Sequence, residues 1–133
     1  MIVPESWLPH RGVAVLITHV ATQSAATLTA AARVLAAHPL VRAGRAPAIL
    51  AVEAAAQATA LVGATVTAGP AARAYVVGVP RCALDVEDLA ADAPFEVRVE
   101  HLRTEGPLSR WSFQATRDAA NIATGELSIW RQP

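Results

Sequence analysis

Charge is scarce in this chain. Charged residues make up 17% of it, against a usual share of about 25% in soluble domains. The formal net charge is zero and the isoelectric point is near 6.9. No segment gathers basic residues, and none interleaves them with aromatics. The electrostatic footprint of a nucleic-acid binder is therefore missing. Cysteine is scarcer still, with Cys82 alone. A single thiol excludes an intrachain disulfide and a multi-cysteine metal site. It fits a reducing compartment, and a cytoplasmic protein is expected. The chain also lacks a Gly-rich phosphate loop, a metal-ligand cluster and a serine nucleophile elbow. Neither a metal nor a cofactor is expected. The opening residues Met1 to Trp7 carry neither the basic region nor the long apolar stretch of a secretory signal.

Apolar residues are plentiful, at 53% of the 133 residues. That is ample for the core of one domain over residues 1–133, which at this size buries roughly two-thirds of its unfolded surface. So little charge on so small a chain predicts that more surface is hidden in an assembly of at least two subunits. From Ala46 to Ala72 the only charged residue is Glu53. A run of that length could cross a bilayer. It is mostly alanine, however, and carries Gln57, Thr59, Thr65 and Thr67. A mid-span carboxylate would cost about 2.5 kcal/mol or more in lipid. A helix buried in protein, with no membrane span, is the expectation.

Local patterns divide the rest of the chain. Trp7-Leu8 reads as an entry turn ending at Pro9-His10-Arg11. Gly12 to Thr22 is rich in Val, Ile and Thr and reads as a strand. Ser24 to Leu35 is blurred by alanine, and the short link favours a second strand hairpinned to the first. Ala36 to Ala46 reads as a loop. Pro47 suits a first helical turn, the helix runs to about Thr67, and Gly69-Pro70 stops it. Four strands follow: Ala74 to Asp85, Phe95 to Thr104, Ser109 to Arg117 and Ile122 to Arg131. Phe95, Val97 and Val99 alternate with Glu96, Arg98 and Glu100, while Trp111, Phe113 and Ala115 share a face. The order is ββαββββ. One alanine-rich helix needs a cover, and an antiparallel sheet with one apolar face supplies it. The expected fold class is α+β, a hotdog fold in which the sheet curls around a central helix.

Candidate chemistry gathers near the helix start. Glu53 stands among Ala, Ile, Leu and Val, with Gln57 four residues on and on the same face. A buried carboxyl is costly unless it is paired, hydrogen-bonded or protonated. One with a raised pKa can serve as a general acid or base; equally, Glu53 can be a satisfied structural acid. Pro47, Ala48 and Ile49 form the first turn of the expected helix, whose free amides can hold a developing oxyanion. His38, on the loop before, is a candidate proton shuttle or an ordinary surface residue. Arg42 and Arg45 could meet a phosphate or stay solvated. His10 reads as structural, and His19 and His101 carry no assigned role.

These residues resemble a known family. Leu8-Pro9-His10-Arg11 before an apolar strand is similar to the opening of FabZ-type 3-hydroxyacyl-acyl-carrier-protein dehydratases. His38-Pro39, followed by Gly44 to Gln57 with its Glu-Ala-Ala-Ala-Gln core at Glu53 to Gln57, resembles that family's histidine and Glu-Ala-Met-Ala-Gln segment. The likeness is greater to the ApeP-like branch, linked to aryl polyene biosynthesis, which the ending Leu127 to Pro133 also resembles. By resemblance, Glu53 is the catalytic acid and His38 the catalytic histidine. Ala48 stands where a glycine amide holds the thioester carbonyl, and Ile49 and Gln57 join it as substrate contacts. The resemblance implies that the histidine takes the α-proton and the acid protonates the leaving hydroxyl. The two would come from opposite protomers of a dimer, with the acyl chain in a tunnel at the interface. His38 precedes Glu53 by fifteen residues, one more than in the family pattern, and the usual Phe-Pro-Gly after the histidine is absent.

The function implied is dehydration of a 3-hydroxyacyl thioester, or the reverse hydration, in fatty acid or polyene-type biosynthesis. The substrate would be held on an acyl carrier protein or coenzyme A. The expected assembly is a homodimer or higher homo-oligomer, or a heteromer. Two other functions fit the same residues. A hotdog acyl thioesterase needs only the helix carboxylate. A non-catalytic partner subunit of a fatty-acid or polyketide-type synthase complex needs neither group.

Overall fold

A computed structural model describes residues 12–67 and 74–131. A 3-10 turn at Gly12–Ala14 leads into β1 (Ile17–Gln23) and β2 (Thr27–Ala32). The short β3 (Arg45–Pro47) precedes helix α1 (Leu50–Thr67). After it come β4 (Ala74–Leu84), β5 (Asp88–Ala90), β6 (Phe95–Glu105), β7 (Leu108–Arg117) and β8 (Ala120–Arg131). Six strands form one sheet in the order β1-β2-β6-β7-β8-β4, with every neighbouring pair antiparallel. The hotdog layout is present. The turn ending at Pro9-His10-Arg11 and the Gly69-Pro70 stop lie outside the described residues.

The alternation seen in the sequence becomes the inner face of the sheet. Leu28, Ala30 and Ala32 on β2 are wholly buried. Phe95, Val97 and Val99 on β6 and Trp111, Phe113 and Ala115 on β7 are buried beside them. Period-two alternation puts one set inward and leaves Glu96, Arg98 and Gln114 outside. Helix α1 lies on this face, chiefly against β6, β2 and β7. Ala51, Ala54, Ala55 and Ala58 are fully buried there. Small side chains keep the helix axis close to the sheet, which therefore curls round it. Among the described residues no helix is long and apolar enough to cross a membrane.

The strand expected from Gly12 begins only at Ile17, after the 3-10 turn, and two further elements differ from the sequence pattern. The expected helix start at Pro47 is strand instead: β3 pairs antiparallel with β5, through Arg45 with Ala90, Ala46 with Leu89 and Pro47 with Asp88. Helical conformation begins at Leu50, after turn bonds from Ala51 N–H to Ala48 O and from Val52 N–H to Ile49 O. The β7–β8 connection is also tighter than expected. Asp118 and Ala119, with φ of 50° and 66°, make a two-residue turn of the kind that matches strand twist. β8 therefore begins at Ala120, two residues before the expected Ile122.

Among the described residues β4 occupies one edge of the sheet and pairs with β8 alone. Its register slips between Val76 and Gly78 and again between Gly78 and Arg81. A Cβ placed on Gly125, opposite Cys82, would lie 2.1 Å from the Arg81 carbonyl oxygen. β8 can approach β4 this closely only without a side chain there. A Cβ on Gly78 would meet Ser128 Cβ at 3.8 Å, an ordinary contact. Gly125→Ala is therefore expected to lower stability by about 2–3 kcal/mol in urea unfolding, and Gly78→Ala to change it by less than about 0.5 kcal/mol. Equal effects of the two substitutions would contradict the close approach at Gly125.

Candidate active site

Helix α1 carries two polar side chains one turn apart, and they have different surroundings. Gln57 is 2% exposed. Its Oε1 accepts the Leu16 N–H at 2.8 Å, and its Nε2 donates to the Ala14 carbonyl at 2.7 Å. This amide clamps the segment entering β1 onto the helix, satisfying a backbone donor and acceptor just ahead of the strand. Gln57, expected among the substrate contacts, spends both its amide oxygen and its amide nitrogen on this segment. Glu53, by contrast, is only half-buried. Between Leu50 and Val62 the partly open positions of α1 are Glu53, Ala56 and Ala60, and Ile49 just ahead of the helix is 49% exposed. Spacings of four, three and four residues make a single stripe along the helix. The sheet leaves this stripe uncovered, and Glu53 is its only ionisable residue.

The helix start offers less than its sequence suggests. The Ala48 N–H, expected to face the thioester carbonyl, donates to the Glu87 carbonyl at 3.2 Å. That bond continues the β3–β5 pairing by one residue. The N–H groups of Ile49 and Leu50 have no partner among the described residues. If an amide here meets an oxyanion, it belongs to this pair.

His38 lies in the β2–β3 loop, half-buried. The Val41 N–H donates to its carbonyl at 3.0 Å, and the Leu40 N–H donates to its Nδ1 at 3.1 Å. Asp92, in the left-handed region with φ of 62°, braces this loop from the other side. Its N–H donates to Val34 O at 2.7 Å, and its Oδ1 accepts the Ala36 N–H at 3.1 Å. The Ala91 N–H bonds to Gly44 O at 2.9 Å. The segment bearing His38 is therefore tied at both ends to the β5 region. Asp92 was not legible in the sequence, because its partners stand more than fifty residues away.

The loop arginines are partly committed. Arg45 forms an ion pair and hydrogen bonds with Asp88. Arg42 donates to the carbonyls of Pro39 and Val41, at 2.6 and 3.0 Å, and no carboxylate pairs with it among the described residues. Two open clefts of about 400 and 350 Å³ share Arg117 and Asp118, and neither is lined by His38 or Glu53. No three His, Cys, Asp or Glu side chains among the described residues gather as metal ligands would.

Comparison with known proteins puts this geometry in context. Residues 2–133 match the model of the ApeP-like family, described as ApeP dehydratase. No curated protein sequence matches. Among solved structures, the chain is similar to the dehydratase heterocomplex ApeI:P from Xenorhabdus doucetiae. There the TM-score is 0.84 at 17% identity, over 97% of this chain and 90% of that one. It is also similar to Cj0977, a sigma28-regulated virulence protein of Campylobacter jejuni, with TM-score 0.70, 10% identity and coverage of 93% and 82%. A hypothetical thioesterase with coenzyme A from Streptococcus pneumoniae matches at TM-score 0.63 and 10% identity, covering 86% and 84%.

The clamp yields a stability prediction. Gln57→Leu would leave the Leu16 N–H and the Ala14 carbonyl without their partner, at an expected cost of about 2–4 kcal/mol in urea unfolding. Wild-type stability in that variant would show that the brace does not hold the β1 entry.

Proposed function

The chain belongs to the ApeP-like dehydratase family, and from that premise we propose that it removes water from 3-hydroxyacyl thioesters. The acyl group would be carried on an acyl carrier protein or coenzyme A, in fatty acid or polyene-type biosynthesis in the cytoplasm. One observation carries the reading. Glu53 is the sole ionisable group on the stripe of α1 that the sheet leaves open. A carboxyl on an apolar helix face, beside the Ile49 and Leu50 amides that have no partner among the described residues, suits proton transfer next to a thioester carbonyl. His38 is the second group proposed to meet the substrate.

A thioesterase reading is the alternative. A helix carboxylate that activates water needs no histidine, and the fold is shared with the Streptococcus pneumoniae thioesterase. A third reading, a partner subunit that does not turn over alone, draws on the heterocomplex similar to this chain. Products separate the three. Incubation with 3-hydroxybutyryl-pantetheine and its enoyl counterpart, followed by mass spectrometry, is expected to show loss or gain of one water. Glu53→Gln is expected to slow this by at least about a hundredfold. Free acid would establish the thioesterase. Turnover that requires a second chain would establish the partner subunit.

Assembly is proposed across β4. Val76, Val77, Val79 and Leu84 are each 40–58% exposed along this strand, whose outer edge has no neighbouring strand among the described residues. A long apolar edge is a template for another strand. A second copy, or a related dehydratase chain, would extend the sheet there and cover the valines. Light scattering at micromolar concentration is expected to report a dimer or larger species, and a Val77→Lys/Val79→Lys variant a monomer. A wild-type monomer would exclude self-assembly and leave the related chain as the partner.

A further inference from the structure

One short segment, Glu87 to Asp92, holds both the start of α1 and the loop that carries His38. At its first residue the Glu87 carbonyl accepts the Ala48 N–H, just ahead of the helix. Asp88, Leu89 and Ala90 then pair with β3. The Ala91 N–H donates to the Gly44 carbonyl at 2.9 Å, at the far end of the loop. Asp92 takes the near end twice. Its N–H donates to the Val34 carbonyl at 2.7 Å, and its Oδ1 accepts the Ala36 N–H at 3.1 Å. These two bonds bracket Leu35, whose carbonyl accepts the His38 N–H at 2.9 Å. From behind, Arg117 fixes the turn after Asp92 by donating to the carbonyls of Ala93 and Pro94, at 3.1 and 3.3 Å.

We propose that Asp92 is a positioning residue for the dehydration, which sets the place of His38 relative to the helix start and touches no substrate itself. The inference rests on the dehydratase reading, in which His38 meets the substrate. Position 92 makes two demands at once. Its φ of 62° is left-handed, a conformation that Gly, Asn and Asp adopt most readily. An acceptor must also reach the Ala36 N–H, and short side chains such as Asp and Asn bond nearby backbone in this way. Glycine meets the first demand alone, and other residues strain the first. Held on both sides, Leu35 gives the His38 turn a fixed origin. A misplacement on the order of 1 Å in a reacting group costs about a hundredfold in rate. Loosening this clasp therefore slows the reaction without removing any group that performs it.

Variants at position 92 separate the two demands. Asp92→Gly keeps the left-handed φ and loses the acceptor, while Asp92→Asn keeps both. With 3-hydroxybutyryl-pantetheine, Asp92→Gly is expected to lower kcat at least about tenfold while KM changes less than about threefold. Asp92→Asn is expected to stay within about twofold of wild type. In a His38→Ala background, Asp92→Gly is expected to cost less than about twofold more, because no histidine is left to place. The same loss with and without His38, or an equal loss in the Asn variant, would overturn the proposal. Wild type carries a check that needs no variant to fold. Its Ala36 amide is expected to exchange with deuterium at least about tenfold more slowly than that of Ala37, which has no partner among the described residues. Equal rates would mean that the clasp is open in solution and would end the proposal. If wild type turns over no hydroxyacyl thioester, the dehydratase reading fails by itself. The His38 ring signals in NMR then decide the placement alone. They shift or broaden in Asp92→Gly and hold in Asp92→Asn if Asp92 positions the ring, and unchanged signals in the Gly variant would show that it does not.

Discussion

The separation between helix and sheet governs the rest of this structure. Ala51, Ala54, Ala55 and Ala58 fill that space and are wholly buried. Packed interiors tolerate little change in volume, so a larger side chain at any of them would push the sheet outward. The thin helix lets six strands bend around it. It also leaves a narrow open line along the described part of α1, from Ile49 through Glu53 to Ala60. Both the core and the candidate site therefore derive from one choice of small residues.

The polar residues of α1 show how finely that line is drawn. Gln57 and Glu53 stand one turn apart, yet one closes a backbone gap inside the core and the other stays half-open. The neutral amide offers a donor and an acceptor together, which is what the facing Leu16 N–H and Ala14 carbonyl require. A carboxylate in that place could accept but not donate. Exchanging the two residues would leave a buried charge at one site and no acid at the other.

Much of the architecture was legible in the sequence. The alternation of Phe95, Val97 and Val99 and of Trp111, Phe113 and Ala115 marked β6 and β7, and the alanine run ending at Thr67 marked the helix. The β3–β5 pair was not legible. Each strand has three residues, too short for a period, and what defines them is contact across more than forty residues. Pro47 suits a helix start and a short edge strand equally well, and only the Glu87 carbonyl opposite Ala48 decides between them. The Asp118-Ala119 turn was hidden because neither residue is the glycine that such a turn favours. At the candidate site, spacing placed Glu53 and Gln57 together. It could not say that Gln57 would be consumed by the chain itself, since its partners precede β1 and lie in no motif.

The β4 edge, which no strand covers among the described residues, has a consequence for how such a protein is made. Main-chain N–H and C=O groups are the same in every strand, so they carry no address. Val76, Val77 and Val79 are the same uncharged residue, and discriminate little between one apolar edge and another. Two chains that present matching edges would therefore compete for β4 by numbers more than by fit. The composition of any resulting complex would follow the ratio in which its chains are synthesised, and a cell that needs one pairing would have to set it through dosage and timing.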